Sequence, residues 1–386
     1  MESEKHMGWR GSRKNYCWPG TYHITINVLE RKYQSLGHIV GDVSKPDGHP
    51  LAPRVHLSEV GKMVEQELLY SIHAHYPMID IEDYVVMPDH LHFIVVVHRD
   101  IISSNGRKTH LGQVIAGFKK GCNRRYWDLT GQTAQEWQGK PAEARQTAKV
   151  PSNGSTGRQP LFSYGYVDVM PLKEGQLERQ REYIRNNPRY RLMRMSTPKL
   201  LLPQRTSIVT VLTLSALKGY LLRECGTKLF YDEIWERVRH RLLTENDMVT
   251  CDSYGDKQLL NGRLLPVVCH RKDASLFEVH KARCLAAASS GAHLVSARIA
   301  RGEHDIIDSA IRQGYPVVTV EDNGFSSLYH PSEQRMNLCY NRRLLIVSPW
   351  QYVYRRVNDS ISVAECKTMN CIVQALCRTK DSWWKE

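Results

Sequence analysis

The run Val85-Val86-Met87-Pro88-Asp89-His90-Leu91-His92-Phe93-Ile94-Val95-Val96-Val97 sets two imidazoles inside one of the most apolar stretches of the chain. Residues i and i+2 of a strand point to the same face, so His90 and His92 project side by side and could hold one cation between them. Such a pair serves equally as two polar outward positions on a half-buried strand, and alone it names no reaction. A third ligand and a nucleophile are needed, and Tyr183-Ile184-Arg185-Asn186-Asn187 offers both. Positions i and i+4 share a helix face. Asn187 can therefore bring an amide oxygen to a metal held by the histidines, with the phenol of Tyr183 one turn away. The alternative is a tyrosine packed in the core and an asparagine that ends the helix before Pro188.

The surrounding sequence supplies elements to carry these groups. TYHITINV (21–28) alternates as a strand, and 57–76 has helical spacing behind the cap candidate Ser58. The segments 79–87 and 90–97 read as strands joined through the turn pair Pro88-Asp89. A basic amphipathic helix follows over 110–127, then a polar loop over 128–160, a strand over 161–170 and a helix over 174–187 that Pro188 should stop. This order, β-α-β-β-α-β-α, predicts a ferredoxin-like antiparallel sheet covered by helices, an α+β fold.

Taken together, MPDHLH (87–92), LGQVIAGFKKGCNRR (111–125), GYVDVM (165–170) and YIRNNP (183–188) resemble the single-tyrosine histidine-hydrophobic-histidine (HUH) transposases. The likeness is to the insertion-sequence-200-like group and especially the REP-associated tyrosine transposases, over roughly residues 14–192. It implies that His90 and His92 are metal ligands, that Asn187 completes the metal site and that Tyr183 is the nucleophile. It also implies a Mg or Mn cofactor, a 5'-phosphotyrosine intermediate and strand transfer on single-stranded DNA beside a hairpin. The chain departs from the family at Gly165-Tyr166-Val167-Asp168-Val169, where members often carry histidines in a G-Y/F-H-D-H pattern, and in its polar insertion.

Composition agrees with a polyanionic partner. The net charge is +13, and residues 101–200 hold 18 Lys/Arg against 7 Asp/Glu. A surplus concentrated in this way suits phosphate contacts. Lys119, Lys120, Arg124 and Arg125, beside Tyr126 and Trp127, are the DNA-binding candidates on the basic helix, and Arg181 and Arg185 flank the tyrosine. A solvated helix face is the plainer reading of the same charges. No apolar run reaches the roughly 20 residues of a membrane span, and the first twenty residues lack the apolar core of a signal peptide. A cytoplasmic protein with reduced cysteines and no membrane partner is expected.

Around 193–206 prolines and a polarity change suggest a linker, giving an expected division into 1–195, a helical connector at 196–262, and 263–386. The last segment alternates apolar strands with helices, as parallel α/β sheets do. It resembles the Rossmann-like domains of DNA-processing protein A and the lysine-decarboxylase-like (SLOG) group through 294–325. Ser275 and Glu278 form a capping-box pattern, Gly291 and Gly314 stand where helices should end, and Gly302 opens a helix where backbone amides could meet a phosphate. Three functions follow as expectations: a transposase; a single-stranded DNA or hairpin-binding regulator without turnover; and a nucleotide-sensing protein acting through the C-terminal domain. A second copy of the chain is a further candidate partner.

Overall fold

The computed structural model describes residues 19–103, 106–132, 158–225, 232–326, 329–354 and 360–386. Most of the insertion expected at 128–160 lies outside them. The chain divides into two compact units, Met1–Leu192 and Met193–Glu386.

In the first unit, β1 (Gly20–Asn27) is the central strand of a sheet completed by β4 (Ile79–Met87), β5 (His90–Val97) and β6 (Val167–Val169), in the order β4-β5-β1-β6. A short ladder of β2 (Gly37–Val40) and β3 (Arg54–Leu57) stands apart from it. Every pairing in the four-stranded sheet is antiparallel. Alternation explains its two faces. Tyr22, Ile24, Ile26, Leu91, Phe93, Val95 and Val97 are no more than 2% exposed. They share a core with Met63, Val64 and Leu68 of the first helical segment and with Val114, Ile115 and Phe118 of α3 (Leu111–Thr130).

That first segment begins as α1 (Glu59–Gln66), passes through a π turn at Glu67–Ser71 and ends as α2 (Ile72–His75). Ser58 caps it as expected, accepting from the Gly61 amide at 3.0 Å. Pro88 and Asp89 form the β4–β5 turn, and their carbonyls accept from the Leu36 and Val28 amides. The closing helix, α4 (Gln176–Ser196), does not stop at Pro188 as the sequence suggests but carries it in its interior. A proline loses its own N–H bond to the preceding turn and crowds the carbonyl there, a cost offset by the burial of Ile184 and Tyr190 on either side of it.

The segment expected as a connector belongs instead to the second unit's sheet. β7 (Gln204–Thr213), α5 (Leu214–Cys225), α6 (Asp232–Arg241), β8 (Thr244–Glu245) and β9 (Met248–Gly255) precede β10 (Leu264–Pro266). There follow α7 (Phe277–Ser289), β11 (His293–Ser296), α8 (Arg301–Arg312), β12 (Val317–Val320), α9 (Glu333–Tyr340), β13 (Leu344–Ser348) and α10 (Val363–Cys377). The sheet order is β10-β11-β12-β13-β9-β7, with β8 on β9. The first four strands are parallel, and β9 and β7 add antiparallel. The sheet is thus mixed rather than wholly parallel, because β-branched runs before residue 263 extend it.

Gly291 and Gly314 end α7 and α8 with φ of +88° and +91°, a region where a side chain would clash. Ser275 caps nothing, since Arg271–Leu276 is a 3-10 turn that runs straight into α7. The capping box occurs at Ser362 and Glu365, ahead of α10. All cysteines among the described residues are free thiols. Among the described residues no helix is long and apolar enough to cross a membrane.

Gly61 sets how closely α1 approaches the strands, because a β-carbon there would run into the Leu36 carbonyl oxygen. Alanine gains about 1 kcal/mol of helix propensity, but forcing that backbone apart costs about 1–3 kcal/mol. Gly61→Ala is therefore expected to lower the urea midpoint with an unchanged slope. A raised midpoint would show that the Leu36 loop yields freely.

Candidate active site

The site forms on the sheet face opposite the apolar core. In the β1–β5 pairing Thr25 lies opposite His92 and Asn27 opposite His90. Directly opposed residues project to one side, so His90, His92, Thr25 and, two residues along, His23 share a face. The His90 and His92 ring centroids are 4.7 Å apart. Tyr183 of α4 meets them edge-on, its ring 5.2 Å from His92 and 6.3 Å from His23. Asn187, one turn further, is 3% exposed, and its Nδ2 has no hydrogen-bond partner among the described residues. Of the helix pair expected at the histidines, Tyr183 packs against His92, and Asn187 follows one turn along the same helix.

Each histidine is held through Nδ1. His90 donates to Asp89 Oδ1 at 2.7 Å, while Asp89 Oδ2 accepts from Arg31 at 3.1 Å. Burial alone would raise the Asp89 carboxyl. The hydrogen bond and charge of His90, with Arg191 and Arg31, outweigh it and hold the group at about 2. His92 Nδ1 lies 2.9 Å from Thr25 Oγ1 and 3.2 Å from His23 Nε2. Burial pushes His23 down to about 4 and His92 well below the usual imidazole range, the latter also disfavoured by charge on His90 and His23. Both rings are neutral near pH 7, which leaves lone pairs for a ligand role.

These residues fit a divalent cation. Anchoring Nδ1 on a carboxylate or hydroxyl frees Nε2, the usual supporting arrangement for metal-ligating histidines. The Asn187 amide, whose Nδ2 has no partner among the described residues and whose O and N are interchangeable by rotation, can present an oxygen. Among the described residues no three His, Cys, Asp or Glu side chains form a metal-holding group; the donors a cation would find here are two imidazoles and an amide.

The basic candidates separate. Lys119 is committed to the chain, donating to the Ser163 and Gly165 carbonyls at 2.5 and 2.7 Å, and burial lowers it to about 8. Arg125 pairs with Glu67 at 2.8 Å. Arg181 binds Glu82 and Asp83, and Arg185 binds Asp83 at 2.9 Å. The last two orient α4 over the sheet, as does Arg189, which donates to the Val43 and Lys45 carbonyls. Lys120 and Arg124 are exposed, one turn apart on α3. Trp127 is engaged by Gln159 and Arg158.

Gly302 does stand at the start of α8, but a β-carbon there would meet Phe277 at 2.8 Å and Cys269 Sγ at 3.1 Å. Close packing explains the glycine. The amides of Cys269 and Ile299 beside it already donate to the buried carboxylate of Glu303, at 3.0 and 2.7 Å.

Sequence reasoning missed His23, Thr25 and Asp89. The alternation of 21–28 puts His23 and Thr25 opposite Tyr22, Ile24 and Ile26, which was a usable signal. The pairing partner of that face was not. No protein-family model matches the chain, and no curated protein matches it.

Asp89 stabilises the fold while it is ionised. Its carboxyl is depressed in the folded chain, so the contribution is complete above about pH 4 and is lost as pH falls toward 2. Asp89→Asn is expected to remove roughly 2 kcal/mol at neutral pH and to flatten that acid limb in denaturation measured from pH 5 to 2. An unchanged limb would place the acid sensitivity elsewhere.

Proposed function

We propose that the first unit is a ferredoxin-like HUH domain of single-tyrosine transposase type, which cleaves and rejoins single-stranded, hairpin-flanked DNA through a 5'-phosphotyrosine link. The observation that carries this reading is the Tyr183 ring packed edge-on at 5.2 Å from His92, beside a His90 whose Nδ1 is anchored on Asp89. The strand order β4-β5-β1-β6, antiparallel throughout, supports the fold assignment. Four parallel strands alternating with helices support a Rossmann-like reading of the second unit.

In this reading His90, His92 and Asn187 hold a Mg or Mn ion, which when bound withdraws charge from the scissile phosphate and aligns it. Tyr183 Oη attacks phosphorus, a P–Oη bond forms and the bond to the 3'-oxygen breaks. A phenol ordinarily titrates near pH 10, so its proton must leave during attack; the departing 3'-oxygen gains one and becomes a hydroxyl. The new phosphodiester keeps the energy of the old, and a second 3'-hydroxyl can reverse the step onto another strand. His23 and His92, both neutral, keep charge off the imidazoles as the phosphate enters. Lys120 and Arg124 remain free to neutralise the flanking backbone. A cytoplasmic setting is part of the proposal.

A ligand-sensing role for the second unit is favoured by one observation. A cavity of about 770 Å³ lies between the start of α7 and the start of α8. The acids on its wall, Asp273, Asp305 and Asp308, are each held by a cation: Lys385, Lys281 and Arg298. Arg271 and Arg301 on the same wall pair with no acid among the described residues, so the cavity favours an anion such as a nucleotide. Calorimetric titration of the full chain with nucleotides should show saturable heat; flat traces would remove this reading.

Incubating the protein with labelled hairpin-flanked single-stranded DNA and Mg or Mn should give a denaturation-resistant adduct that Tyr183→Phe abolishes. Binding without an adduct would instead identify a regulator that does not turn over. Replacing Lys120 or Arg124 by alanine should weaken DNA binding uniformly across sequences and reduce the salt slope by about one each. Lys119→Met should leave that slope intact and lower thermal stability, because its ammonium serves the 163–165 loop.

A further inference from the structure

We infer that His23 is a positioning residue of the candidate site, turning the second histidine's ring and walling the tyrosine through one imidazole on the central strand. The inference rests on the reading of His90, His92 and Tyr183 as that site. Its backbone is pinned on both sides, opposite Ile94 of β5 and Val169 of β6. Nε2 lies 3.2 Å from His92 Nδ1, with ring centroids 5.2 Å apart, and the same ring stands 6.3 Å from Tyr183. His23, His92 and Tyr183 therefore form a closed set of three rings, and moving one moves the others.

The chemistry assigns His23 a task that Thr25 cannot perform alone. For His92 to offer Nε2 to a cation, its proton must sit on Nδ1 and be accepted there. A threonine hydroxyl gives or accepts with equal ease, so Thr25 Oγ1 at 2.9 Å does not select the tautomer. A neutral imidazole holds a single proton, and in the tautomer that carries it on Nδ1 its Nε2 accepts only; the inference assigns His23 that tautomer, with His92 Nδ1 as the donor across the 3.2 Å contact. His90 needs no such neighbour, because the Asp89 carboxylate accepts from it directly. The two histidines are thus oriented by different means, one by a charged acceptor and the other by a neutral ring.

Two readouts that do not depend on DNA cleavage test this in the full-length protein: the nitrogen-15 tautomer signature of His92, and Mn²⁺ uptake followed by electron paramagnetic resonance. The wild type should show His92 protonated on Nδ1. His23→Phe, which keeps a ring against Tyr183 but no nitrogen, should mix the tautomers and weaken Mn²⁺ binding about tenfold. His23→Gln, with a carbonyl acceptor, should restore most of the affinity. An unchanged tautomer and affinity in His23→Phe, or a wild-type His92 protonated on Nε2, would overturn the inference. Should His23→Phe fail to fold, Thr25→Val leaves His23 as the sole partner; retained tautomer and affinity support the inference, and loss of both overturns it. A wild type that takes up no Mn²⁺ contradicts the metal reading alone, and the tautomer comparison still decides the role of His23.

Discussion

The candidate site depends on the register of one antiparallel strand pair, in which Thr25 faces His92 and Asn27 faces His90. A slip of one residue would turn every side chain of β5 to the other face. The histidines would enter the apolar layer and Leu91, Phe93, Val95 and Val97 would leave it. Burying these four together with Tyr22, Ile24 and Ile26 is worth on the order of 10 kcal/mol or more, far above what burying two hydrogen-bonded imidazoles costs. Packing on one face therefore fixes chemistry on the other. The turn reinforces it, because the Val28 and Leu36 amides bind the carbonyls of Asp89 and Pro88 and so tie the loop after β1 to the start of β5.

A second layer of constraint is electrostatic. α4 brings Tyr183 to the histidine face, and three of its arginines are spent on holding it there. Arg181 and Arg185 reach the acidic pair Glu82 and Asp83, beside the irregular register of β4, and Arg189 reaches the loop between β2 and β3. The surplus positive charge of 101–200 is thus partly structural. Of the six basic residues with the strongest claim to phosphate, only Lys120 and Arg124 stand exposed without an ion pair or a buried role among the described residues. The negative carboxylate of Asp89 beneath His90, and the neutral pair beneath His92, give the two imidazoles different surroundings although they sit two residues apart on one strand.

Much of this was legible in the sequence because period-2 alternation and i,i+4 spacing are local. His90 with His92, and Tyr183 with Asn187, needed no tertiary information to be placed on common faces. The strands after residue 263 were likewise readable as apolar runs between helix signals. Non-local pairing was not readable. Thr25 belongs to His92 only through strand register, and Val167 and Val169 join that face only because β6 adds to the far side of β1. The segment 196–262 looked like a connector because its prolines and helical stretches hide three strands, which pair with one another and join the rest of the sheet only through β9 and the distant β13. Pro188 misled for a related reason: a proline's local cost is predictable, but the burial that carries a helix across it is tertiary.

The central claim is that Tyr183 attacks phosphorus beside the paired histidines. Mass spectrometry of the protein after reaction with hairpin-flanked single-stranded DNA and digestion with nuclease and trypsin tests it at the atom concerned. Cleavage after Arg181 and Arg185 isolates residues 182–185. The account predicts that this peptide carries a nucleotide on Tyr183 through its 5'-phosphate. A nucleotide on another residue, a 3'-phosphate link, or an unmodified peptide from protein that has cut its substrate would contradict it.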